Sequence, residues 1–163
     1  MKKALIALSV VVVLAGGYLG LAHFSGGAFP TLGLPLGGDV GHLRRMGNSF
    51  LEDIQFKDFK KAASYHAPEL QESVDIPFLI WRMFKIKPEA LDLMEYDVVF
   101  AEMDKSKLRG RVKMRMRVKV LLNNNIEDKE LMLYFERKDL KSPWYMKLED
   151  SLRKKKADDD KKT

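Results

Sequence analysis

The spacing of apolar residues changes three times along the chain. From 4 to 22 (ALIALSVVVVLAGGYLGLA) there is no polar face at all, and nineteen residues pass without a charge. As a helix rising about 1.5 Å per residue, this stretch would be roughly 28 Å long, close to the hydrocarbon thickness of a bilayer. Residues 23–41 (HFSGGAFPTLGLPLGGDVG) then hold six Gly and two Pro and show no period, which predicts a tether. Helical spacing begins after it. Ser49-Phe50-Leu51-Glu52 reads as a capping box ahead of Ile54, Asp58 as the cap of a second helix stopped by Pro68, and Asp75-Ile76-Pro77 as the opening of a third. Phe78, Leu79, Trp81, Met83 and Phe84 make that third helix apolar over most of its girth, which predicts that it is sandwiched. Pro88-Glu89 predicts one more short helix to about Met94.

From Tyr96 the period becomes two. Strands are expected at 96–104, 108–122, 126–137 and 144–150, joined by short polar turns and therefore antiparallel. Helices followed by a meander predict an α+β domain: N-terminal helices packed on one face of a curved four-stranded antiparallel sheet, preceded by one hydrophobic helix. The expected organisation is a membrane anchor or signal peptide at 1–22, a tether at 23–42, the α+β domain at 43–150 and a disordered charged tail at 151–163.

The second strand carries the sharpest pattern. In "RGRVKMRMRVKV" (109–120) every odd position is Arg or Lys, and every even position after Gly110 is Val or Met. A turn at Lys105-Ser106 would pair Glu102 with Arg109 and Val99 with Val112. A turn at Asn124-Asn125 would pair Lys119 with Glu130, Arg115 with Tyr134, Met114 with Phe135 and Met116 with Leu133. One face is then apolar (Val99, Ala101, Met103, Val112, Met114, Met116, Val118, Leu131, Leu133 and Phe135), broken only by Asp97. The ordinary reading of the other face is a solvated surface whose cations meet acids and rings. The sharper reading takes Arg111, Arg115 and Arg117, the least compensated there, as a patch for an acidic protein or anionic lipid.

Charge and composition narrow the function classes. The net charge is +6, but residues 39–150 hold 21 basic and 20 acidic side chains, so the excess lies in the two ends and no nucleic-acid partner is expected. There is no Cys, which removes disulfides, thiol nucleophiles and a lipoprotein leader. His23, His42 and His66 have no metal-ligand spacing, and no phosphate loop or nucleophile elbow is present; no metal or cofactor is expected. Lys2 and Lys3 precede the apolar run and no further cation comes before Arg44, which predicts a cytoplasmic amino end and an extracytoplasmic remainder. Two readings of the run stand: a single-pass inner-membrane anchor, or a leader with Gly20 and Ala22 as its small residues at −3 and −1, cleaved after Ala22 to release a periplasmic or secreted domain.

"NSFLEDIQFKDFKKAASYHAPE" and the closing "SPWYMKLED" resemble the opening helices and terminal strand of nuclear-transport-factor-2-like (cystatin-like, ketosteroid-isomerase-like) domains over about 43–150. The resemblance implies a cone of sheet around helices, sometimes with a pocket, in a superfamily that includes isomerases, dehydratases, binders and scaffolds. By analogy with such pockets it implies Tyr65, His66, Asp97 and Tyr145 as lining candidates, with Asp97 as a candidate base. Lone residues in these positions more often cap, pack or meet water. The whole arrangement is similar to inner-membrane subunits of type IV secretion systems. The expected role is a non-catalytic binding or scaffolding module of a bacterial-type envelope, with a homodimer through the sheet as one further expectation. The alternative is a pocket for a small hydrophobic ligand, with isomerase or dehydratase chemistry.

Overall fold

The computed structural model describes residues 2–29, 34 and 36–147. The predicted tail at 151–163 and the last residues of the predicted fourth strand lie outside them. The chain divides into two compact units, 1–42 and 43–163.

In the first unit, helix α1 (Lys2–Phe24) contains one stretch, Ala7–Phe24, that is long and apolar enough to cross a membrane. It ends in a Schellman turn: Gly26 N–H donates to the His23 carbonyl (3.2 Å) and Gly27 N–H to that of Ala22 (3.0 Å). Gly37 N–H donates to His23 Nδ1 at 3.3 Å, and a Cβ on Gly37 would sit 2.5 Å from the Gly26 carbonyl carbon, so only glycine closes this corner.

Helix α2 (Gly38–Gln55) begins eleven residues before the capping box predicted at Ser49, and residues 38–42 of the expected tether are its first turn. Gly38, Gly41 and Gly47 disguised it, because glycine lowers helix propensity. Packing explains Gly47: a Cβ there would meet Met114 Sδ at 3.2 Å and Val112 Cγ1 at 3.3 Å. Leu43, Phe50, Leu51 and Ile54 form its buried stripe. Its end is a second Schellman turn, with Lys57 at φ 60° in the position glycine usually takes.

Two further helices follow as predicted. Asp58 caps α3 (Phe59–Ala63) by accepting from Lys61 N–H, and Asp75 caps α4 (Ile76–Phe84) by accepting from Phe78 N–H, with Pro77 in the first turn. The predicted helix at Pro88 is a single 3₁₀ turn, Pro88–Ala90, and strand already begins at Leu91.

The sheet is open and antiparallel in the order β1-β2-β3-β4: β1 (Leu91–Met103), β2 (Arg109–Val120), β3 (Asn125–Glu136) and β4 (Tyr145–Met146). Helix residues pack with one face of it in a single core that includes Phe50, Ile80, Met114, Met116, Leu133 and Phe135. The α+β class is therefore as expected. The registers differ. The β2–β3 turn is centred two residues earlier than predicted, giving Arg115↔Glu130, Met114↔Leu131 and Arg111↔Tyr134. Asn124 takes a left-handed conformation (φ 56°) and Asn123 accepts from Asn125 N–H, which fixes a four-residue turn. Since the partners move by an even number, every side chain keeps its face.

β1 behaves otherwise. Register shifts fall between Leu93 and Glu95 and between Val98 and Phe100, so Met94 and Val99 are extra residues opposite none. Each shift reverses the alternation. Leu91, Leu93, Tyr96, Val98, Ala101 and Met103 stand opposite the buried side of β2, while Asp92, Glu95, Asp97, Phe100 and Glu102 stand opposite its cations. The expected inward placement of Val99 and Asp97 is thereby corrected. Two α2 side chains reach the bulges: Gln55 Nε2 donates to the Leu93 carbonyl (2.7 Å) and Arg44 Nη1 to that of Val98 (3.5 Å). Eleven helical residues and five strand residues both span roughly 16 Å, so one straight helix serves both bulges.

Candidate functional site

The 43–147 region offers several candidate places. The first is the outer face of the sheet. Arg115 makes two bonds to Asp97, Nε to Oδ1 at 3.2 Å and Nη2 to Oδ2 at 3.1 Å. Arg117 lies between Asp128 (3.2 Å) and Glu95 (3.5 Å), Arg111 pairs with Glu102 and covers the Phe100 ring at 5.8 Å, and Lys113 pairs with Glu130 at 2.8 Å. The three arginines expected to be least compensated are thus each matched with an acid. Glu95, Tyr96, Asp97, Arg115, Met116, Arg117 and Asp128 line a recess of about 330 Å³. Exposed pairs of this kind contribute under about 1 kcal/mol each. Their clearer effect is on register, because a slip of one residue would bury the cations.

The second place is built around Asp53, which sequence reasoning missed. It stands in the last turn of α2, two residues before its end, with its side chain only 5% exposed, and its Oδ1 accepts from Lys61 Nζ at 2.8 Å. Asp53 raises the Lys61 ammonium above its usual range, chiefly through that hydrogen bond. Burial, then the same carboxylate, pushes the Tyr65 phenol up. The two residues lie on either side of the α2–α3 turn, in different helices, so no pattern within one element pairs them.

Tyr65 packs edge-on against Phe50 at 6.1 Å, and its carbonyl accepts from Met146 N–H at 2.7 Å. His66 is buried, with Nδ1 3.2 Å from the Ala63 carbonyl. Tyr145 is half-buried opposite Glu136. The α3 end and β4 therefore bring Tyr65, His66 and Tyr145 to one region. Asp97 is not among them; its partner is Arg115.

The third place is a half-open cleft of about 820 Å³ between α3, the 64–75 segment and the start of α4. Phe59, Ala63, Val74, Ile76 and Pro77 give it an apolar lining, and Lys60, Lys61, Gln71, Glu72 and Asp75 a polar one. It exists because the Asp58 and Asp75 caps start two short helices whose connection closes on itself through Gln71 Nε2, which donates to the carbonyls of Ser64 (3.2 Å) and His66 (2.9 Å). No His, Asp or Glu cluster among the described residues has metal-binding geometry.

No family model matches this sequence, and no curated protein matches it.

Proposed function

We propose that this protein is a membrane-anchored binding module of a bacterial-type envelope, with α1 in the inner membrane, its amino end in the cytoplasm and the α+β domain outside. The spanning length and composition of α1 support the anchor, and Lys2 and Lys3 support the orientation. In this reading the domain is nuclear-transport-factor-2-like, in keeping with helices first and an antiparallel meander after them.

The observation that carries a binding role is the α3–α4 cleft. Its apolar floor and mixed-charge rim fit a segment of another protein better than a polar metabolite, since apolar area supplies association energy and the rim supplies selectivity. The test is site-specific photo-crosslinking from Gln71 in cells that make the protein. A discrete heavier adduct, lost on Phe59→Asp, supports the reading; adducts no different from those formed by a probe at Glu102 on the outer sheet face oppose it. An adduct of twice the chain's mass from the Glu102 probe would support a homodimer through the sheet.

One observation favours a second reading. A cleft of about 820 Å³ is also within the range that holds a small hydrophobic molecule. Native mass spectrometry of the purified chain distinguishes the two, as a fixed small added mass that Phe59→Asp removes. Asp97 does not line this cleft.

A further inference from the structure

Helix α4 has two faces, and the sequence pattern announced only one. Ile76, Leu79, Ile80, Met83 and Phe84 follow the spacing of a buried stripe and are buried. The expectation that the whole girth is sandwiched fails on the opposite side, where Phe78 is 49% and Trp81 44% exposed. Single exposed aromatics are ordinary. These two are stacked on each other at 6.1 Å, with Arg82 over the Phe78 ring at 5.7 Å and Lys85 over the Trp81 ring at 5.1 Å. Residues 78, 81, 82 and 85 form one stripe at helical spacing. Between Asp75 and Glu89 the chain carries Arg82, Lys85 and Lys87 and no acid. Asp75 is occupied in capping, and Glu89 lies near Lys57, whose ammonium burial holds below its usual range against the opposing pull of Asp92 and Glu89.

We propose that this stripe rests on an anionic lipid surface, Phe78 and Trp81 entering the headgroup boundary and Arg82, Lys85 and Lys87 meeting lipid phosphates. Aromatic rings flanked by long cationic side chains suit that boundary: the rings have apolar bodies, and the cationic stems lie along apolar matter while their heads stay wet. The charge of the stripe complements the surface. The proposal rests on α1 spanning the membrane. From Phe24 to Gly38 the chain can extend to about 50 Å at most, so an anchored α1 keeps a bilayer within reach of α4.

The test uses the full chain reconstituted into vesicles of phosphatidylcholine alone or with phosphatidylglycerol, with and without brominated acyl chains. Trp144 is 5% exposed and Trp81 is on the stripe, so the difference between the wild type and Trp81→Phe isolates Trp81. The expected result is a blue shift of Trp81 emission and its loss to brominated lipid when phosphatidylglycerol is present. High salt and the triple change Arg82→Gln, Lys85→Gln, Lys87→Gln should each reverse both. Trp81 emission that stays open to iodide and untouched by brominated lipid in every vesicle overturns the proposal and leaves the stripe to a protein partner. Flotation of the same vesicles reads the anchor separately: a chain that floats without quenching retains its anchor and loses only the α4 contact, and a chain that does not float loses the anchor reading and this proposal with it.

Discussion

β1 and β2 lie side by side with alternating sequences, yet only β2 keeps its alternation. Along β2, Gly110, Val112, Met114, Met116, Val118 and Val120 are all buried, and the residues between them are not. Along β1 the same rule holds for a few residues at a time and is reset at Met94 and Val99, which stand 43% and 44% exposed. A regular strand fixes which side chains face the core. A bulged one decides which do not, and here it decides the place of Asp97. The bulges sit where α2 offers Gln55 and Arg44 to the backbone, so the irregular strand is held from the helix layer and the regular one by its neighbours in the sheet.

The comparison breaks most sharply under deletion. Removing Arg115 from β2 shifts all residues on one side of the gap to the other face, and we expect no cooperative thermal transition from that variant. Removing Val99 leaves the β1 residues from Glu95 to Met103 alternating correctly. Its main loss is the Arg44 contact, about 1 kcal/mol, measured by urea denaturation. If the two deletions are equally harmful, the bulge at Val99 is not an extra residue.

Truncation gives the next largest contrast. Met114→Ala should cost about 2–5 kcal/mol in the same assay, because a fully buried side chain leaves a cavity. Val99→Ala should change stability by no more than about 0.5 kcal/mol. Smaller still is the outer face. Arg115→Gln should cost less than about 1 kcal/mol in dilute buffer and nothing measurable in molar salt.

The hairpin joining β1 to β2 adds a pH dependence. The Asp104 carboxylate accepts from the Ser106 hydroxyl and the Leu108 and Arg109 N–H groups, which hold its pKa below the usual carboxylate range, the hydroxyl contributing most. A lowered folded-state pKa stabilises above the ordinary value and loses that contribution as pH falls through the lowered one. The wild type should therefore be more stable than Asp104→Asn at neutral pH. The two melting curves should converge in acid, below the ordinary carboxylate pKa.

Much of this layout was legible in the sequence. β2 and β3 were, since twelve residues of strict alternation admit one pairing parity, and a turn misplaced by two residues changes partners without changing faces. The caps at Asp58 and Asp75 were, because an acid ahead of an apolar helix has a local meaning. The start of α2 was not: Gly47 is explained only by the sulfur and methyl groups pressed against it. The bulges were not, because they depend on where Gln55 and Arg44 arrive. The outward stripe of α4 was hidden by its composition, since Phe78 and Trp81 look like core until the packing shows which side the core takes. Asp53 was hidden because its partner Lys61 belongs to the next helix.

The most direct test of this account uses the absence of native cysteine. Single cysteines at 96, 97, 98 and 99 would be exposed to a maleimide in the folded chain and their labelling rates compared. Fast labelling of Asp97→Cys and Val99→Cys with slow labelling of Tyr96→Cys and Val98→Cys is the predicted result. Slow labelling at 97 and 99 with fast labelling at 96 and 98 would restore unbroken alternation, return Asp97 to the helix side of the sheet and contradict the account.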